Sequence, residues 1–137
     1  MKSIKQRHNS SCGPTCLAMI LGVSYEKALK IAHPNHKKGK SYSTLYDRIA
    51  KVLDKYNIEY EIKHPRNLPM YKNEKAIIYI GRKHVLTKGP YAGMFMGHWI
   101  VWDPEKQEFL DPGTKRHLNY YKAAYLRGIK LVFKIKR

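Results

Sequence analysis

The apolar positions begin as an unbroken run, Cys16-Leu17-Ala18-Met19-Ile20-Leu21, too continuous for a surface helix, and predict a buried helix whose opening turn holds Cys12, Gly13, Pro14 and Thr15. Pro14 suits a first helical turn, where a missing N–H costs nothing. A second helix is predicted from Ser24, its N-cap, through Ala28, Leu29, Ile31 and Ala32 to a stop at Pro34, with His33-Pro34-Asn35-His36 as a loop. From about Ser43 the residues Leu45, Ile49, Val52, Leu53 and Tyr56 recur at the 3.6 period, which predicts a third helix with one core-facing side, ended by Asn57.

The pattern then changes to short strand-like segments at Ile58 to Ile62, Ala76 to Ile80, His98 to Trp102 and Glu108 to Leu110. A last strand is expected where Ile129, Leu131, Phe133 and Ile135 alternate with other residues, and a short helix over Asn119 to Leu126 precedes it. Gly81 to Met96, rich in Gly and basic residues, reads as a long loop entering the His98 strand. Helices followed by strands predict an α+β domain in which N-terminal helices pack on an antiparallel β-sheet. No repeat, low-complexity tract or long linker divides the chain, so residues 1–137 read as a single domain, and 43% hydrophobic content can fill its core without disulfides or metal.

Chemistry enters at Cys12. A thiol at the N-terminal end of a helix meets unpaired N–H groups and the positive end of the macrodipole, both of which favour a thiolate. Gly13 lets the backbone come close to a reacting carbonyl. Such a nucleophile needs a base to take its proton, and His98, at the head of a strand, is the candidate. Asp103-Pro104-Glu105-Lys106-Gln107 supplies a turn after that strand, so a hairpin returns Asp111 towards His98, where it could orient the ring. Asp103 is the competing acid, but it falls at the turn end, and Asp111 is preferred. His84 is a reserve base.

The segment Gln6 to Cys12, the run Cys12-Gly13-Pro14-Thr15-Cys16-Leu17-Ala18-Met19, and the pairs Gly97-His98 and Asp111-Pro112 resemble the papain-like cysteine peptidases related to the bacteriocin-processing peptidases, which cut leader peptides after a Gly-Gly pair. The resemblance implies a papain-like fold and a catalytic set of Cys12 as nucleophile, His98 as base, Asp111 as orienting acid and Gln6 as an oxyanion-hole donor. A tetrahedral intermediate does need donors for its oxygen, and a side-chain amide with the Cys12 N–H would supply two. The implied activity is thiol-dependent cleavage of an amide bond in a peptide or protein substrate through an acyl-thioester. Deamidation or acyl transfer would use the same intermediate.

Two cysteines four residues apart make a disulfide-stapled secreted scaffold unexpected, and Cys16 is expected to pack inside the helix. Cys12, Cys16 and a histidine lack the paired spacing of a zinc site, so no metal and no cofactor is expected. No apolar run approaches the ~18 residues that would span a bilayer. No signal-type region precedes the Cys helix either, and a soluble protein of a bacterial cytoplasm, that of a virus-infected cell included, is expected.

The formal charge of +17 adds a second reading. Basic residues at Lys37-Lys38-Gly39-Lys40, Arg82-Lys83, Lys115-Arg116 and Lys134 to Arg137, with eleven tyrosines that could stack on bases, would attract an anionic partner such as nucleic acid. The alternative function is therefore a basic nucleic-acid- or host-protein-binding module on a catalytically inactive version of the same fold. Retention of Cys12, His98 and Gln6 together favours the enzyme.

Overall fold

In the computed structural model the residues described are 1, 4, 12–35, 46–66, 71–81, 97–112, 116–118 and 129–136. They form three helices, α1 (Cys12–Leu21), α2 (Tyr25–Ala32) and α3 (Tyr46–Lys55), and six strands, β1 (Tyr60–Lys63), β2 (Ala76–Gly81), β3 (Gly97–Asp103), β4 (Glu108–Asp111), β5 (Arg116–Leu118) and β6 (Ile129–Ile135). The strands join in one sheet of order β1-β6-β2-β3-β4-β5, and every pairing is antiparallel. The expected α+β arrangement of N-terminal helices on an antiparallel sheet is what the chain adopts.

Helix α1 is buried from Cys12 through Ile20, on every side, as its unbroken apolar run requires. It ends where Gly22 takes φ 68° and the N–H groups of Gly22 and Val23 both reach the Ala18 carbonyl, a left-handed cap that only glycine adopts without steric cost. Helix α2 starts as expected, with the Ser24 hydroxyl accepting from the Lys27 N–H at 3.2 Å. Helix α3 turns Ile49, Val52 and Leu53 inward, and the Arg48 guanidinium donates to the Ala32 carbonyl at 3.1 Å, tying α3 to the end of α2. Ser43, Leu45 and His36 lie outside the described residues.

Most strands run a residue or so past their expected ends, and two differences go further. Strand β1 begins at Tyr60 rather than Ile58, because Asn57 enters the left-handed region at φ 56° and the Ile58 N–H bonds back to Leu53 O at 2.9 Å to finish α3. Strand β5, Arg116–Leu118, was not expected, since three residues with two basic side chains carry no apolar alternation. The helix expected over Asn119 to Leu126 lies outside the described residues.

The sheet is buried on both faces. Towards the helices stand Ile77, Trp99, Val101, Leu110, Phe133 and Ile135, packed with Cys12, Cys16, Leu17, Ala28, Ile49, Val52 and Leu53. On the opposite face Ala76, Ile78, Ile100, Trp102, Phe109 and Val132 form a second cluster. Two-sided burial explains why β2 and β3 read as continuous apolar runs rather than alternations. Rings cross the helix-facing side in sequence: Tyr60 meets Phe133 edge-on at 5.4 Å, Phe133 meets Trp99 at 6.1 Å, and Trp99 meets Tyr79 at 4.9 Å. Phe133→Ala would open a cavity in the middle of that row and should lower unfolding free energy by about 3–5 kcal/mol, read from urea denaturation.

Candidate active site

Cys12 is the first residue of α1 and packs in the cluster that contains Trp99 and Val101 of β3. Its helix packs against β3, the strand that carries His98. Cys12 keeps 8% of its surface in contact with solvent, whereas Cys16, one turn along, has 0%. Neither cysteine is in a disulfide.

The backbone of His98 is the second residue of β3, opposite Ile80 of β2, and the adjacent cross-strand pair is Tyr79 with Trp99. Asp111 ends β4, the neighbour of β3 on its other side, where Val101 stands opposite Leu110. Continued one step, that register sets Asp111 level with Ile100, about 7 Å along the strand from His98 and one inter-strand spacing of about 5 Å across. The side chains of His98 and Asp111, and the whole of Gln6 and His84, lie outside the described residues.

The rival acid Asp103 is at the other end of β3, roughly 17 Å of strand from His98. Its carboxylate has structural work there. Oδ1 accepts from the Glu105 N–H at 3.1 Å, closing the β3–β4 turn, and Oδ2 is 3.7 Å from the Met1 amino nitrogen, an ion pair longer than a hydrogen bond. The same turn is held by Gln107, whose amide donates to Pro104 O at 2.7 Å, and by Trp102, whose indole donates to Tyr71 O at 2.7 Å. The hairpin that the Asp103 to Gln107 segment implied is thus rigid at its turn.

Tyr79 is a residue that sequence reading passed over. Half-buried on β2, it packs against the cluster that holds Cys12. Its phenol is raised above 10 by burial first and by the charge of Cys12 second. The signal was present only as a tyrosine in an apolar strand, which any sheet protein shows.

The family model described as the Peptidase C39 family matches residues 1–109. The chain belongs to the Peptidase C39 family. It is thereby a papain-like cysteine peptidase relative of the bacteriocin-processing enzymes, which supports cysteine peptidase activity in general. No curated protein is similar enough to the chain to match it. Gln6, Cys12 and His98 fall inside the C39 match and Asp111 two residues beyond it. Strand β6 also lies beyond the match, yet it is inserted between β1 and β2, so the C39 sheet of this chain includes it.

No helix among the described residues is long and apolar enough to cross a membrane. The difference in burial between the two thiols sets their order of reaction. In the native chain, iodoacetamide should label Cys12 at least about tenfold faster than Cys16, as read by peptide mass mapping, because Cys16 must await local opening of α1.

Proposed function

We propose that this C39 chain hydrolyses an amide bond in a peptide or protein through an acyl-thioester on Cys12, with His98 as base, Asp111 as its orienting acid, and Gln6 and the Cys12 N–H as oxyanion donors. The observation that supports this most is the position of Cys12 as the first residue of a buried helix packed on the strand that contains His98, in a chain whose family consists of cysteine peptidases.

The chemistry follows from the groups. His98 takes the Cys12 proton, and the sulfur adds to the substrate carbonyl carbon. The carbonyl oxygen becomes an oxyanion stabilised by the Gln6 amide and the Cys12 N–H. The C–N bond then breaks, and the departing amine receives the proton held by His98. Water attacks the thioester carbonyl with His98 again as base, releasing the carboxylic acid and restoring the thiol. Asp111 keeps the imidazole in one tautomer and stabilises the imidazolium in both halves of the cycle.

Incubation with a peptide library followed by mass spectrometry tests the reaction type, since a carboxyl product, a deamidated side chain and a transferred acyl group differ in mass. Hydrolysis products are expected, absent with Cys12→Ala and reduced about 10²–10⁴-fold with His98→Ala. Turnover that survives Cys12→Ala would overturn the proposal. The two acids separate by a different readout. Asp111→Asn should lower kcat with Tm retained, whereas Asp103→Asn should lower Tm and leave kcat of the folded protein near wild type.

A further inference from the structure

A cavity of about 230 Å³ opens where α1 finishes and β2 begins. It is lined by Ile20 near the end of α1, Ile58 just after α3, Asn73 and Lys75 on the approach to β2, and Ile135 with Lys136 where β6 ends. Three isoleucines thus share one small space with two ammonium groups and an amide. Cys12 opens α1 and Ile20 is next to its last residue, about 12 Å further along the axis, so the cavity is separate from the proposed nucleophile.

Its walls are tied to one another by backbone hydrogen bonds, which form it before anything enters. The Ile58 N–H donates to Leu53 O at 2.9 Å, the Ile135 N–H to Lys75 O at 2.8 Å, and the Lys136 N–H to Glu59 O at 2.8 Å. These bonds join the end of α3, the approach to β2 and the end of β6 into one frame. Ile20 and Ile135 are buried and Ile58 is half-buried, whereas Asn73, Lys75 and Lys136 are exposed. The apolar groups are therefore innermost and the polar ones stand at the mouth.

Charge at the mouth is unbalanced, because no carboxylate is among the lining residues. Glu74, between Asn73 and Lys75, pairs with Lys134 at 4.0 Å, and Glu61 is shared between Lys63 at 3.8 Å and Lys136 at 4.0 Å. Among the described residues, the Lys75 ammonium pairs with no acid. Lys136 and Glu61 form an exposed and long pair, which costs little to loosen.

We propose that this cavity binds a small organic carboxylate, with an apolar body against Ile20, Ile58 and Ile135 and its carboxylate held by the Lys75 and Lys136 ammonium groups and the Asn73 amide. Apolar walls with a few convergent polar groups are the ordinary make-up of a small-molecule site. The volume is below the roughly 300–1,000 Å³ of sites for drug-sized ligands, which restricts the occupant to a smaller molecule. The isoleucine walls give nothing to an inorganic anion, and a nucleotide base finds no aromatic ring among the lining residues to stack on.

Hexanoate is the probe, titrated into the isotope-labelled full chain and followed by proton–nitrogen NMR. The amides of Ile20, Ile58, Lys75, Ile135 and Lys136 should shift together and saturate with one Kd of about a few millimolar, the order that so small a ligand supplies. 1-Hexanol should move the same amides with about fivefold weaker affinity, and inorganic phosphate should not saturate them. Lys75→Gln should weaken hexanoate about threefold and leave hexanol unchanged, while Lys27→Gln, which removes the same charge from an exposed position on α2, should change neither. Asn73→Trp at the mouth should abolish the saturable shifts with both ligands. Shifts spread over the basic surface without saturation, phosphate that saturates these amides as hexanoate does, or equal weakening by Lys75→Gln and Lys27→Gln would each overturn the proposal. No arm requires turnover, and Cys12→Ala should bind hexanoate as the wild-type chain does, so failure of the peptidase reading leaves this site untouched.

Discussion

The burial of α1 against the β2–β3 pair is the constraint from which the rest of this structure follows. A helix apolar on every side has no stable place on a surface, so it must be enclosed, and here it is enclosed by α2, α3 and the sheet. Full burial of each large side chain contributes about 1.5–3 kcal/mol relative to exposure, and Leu17, Met19 and Ile20 all make that transfer. The helix cannot slide or rotate without uncovering one of them. Its first residue is thereby held at one position over the sheet, and that residue is Cys12.

The same packing explains how a single strand serves two purposes. Trp99 and Val101 face α1 and hold it, while Ile100 and Trp102 fill the opposite cluster. His98 stands next to Trp99, so the side chain that anchors the helix and the candidate base belong to consecutive residues. The row of rings from Tyr60 through Phe133 and Trp99 to Tyr79 extends this support across four strands. Rigid aromatic support suits a nucleophile whose reactivity depends on fractions of an ångström.

Charge enters the described part of the sheet mainly at its rim. Glu61 lies 3.8 Å from Lys63 and 4.0 Å from Lys136, and Glu74 lies 4.0 Å from Lys134, whose ammonium also covers the Tyr71 ring at 5.0 Å. Exposed pairs of this kind contribute at most about 1 kcal/mol each, so they do not hold the fold. The +17 balance therefore bears on what approaches the molecule rather than on its architecture.

Local periodicity and chain punctuation were enough to locate most elements: the unbroken run after Thr15, the Ser24 cap, the 3.6 spacing of Ile49, Val52 and Leu53, and the Asp103 to Gln107 turn are each decided by residues within a few positions of one another. The order of a thiol, an imidazole and an acid was equally readable, because the residue types alone limit the chemistry. Strand pairing was not. That β6 enters between β1 and β2, that the sheet is covered on both faces, and that β5 exists at all depend on contacts between residues tens of positions apart. Tyr79 belongs to this second class. Its identity predicts only a strand residue, and its place against the cluster that includes Cys12 arises because α1 packs on the sheet, which no short stretch of chain encodes.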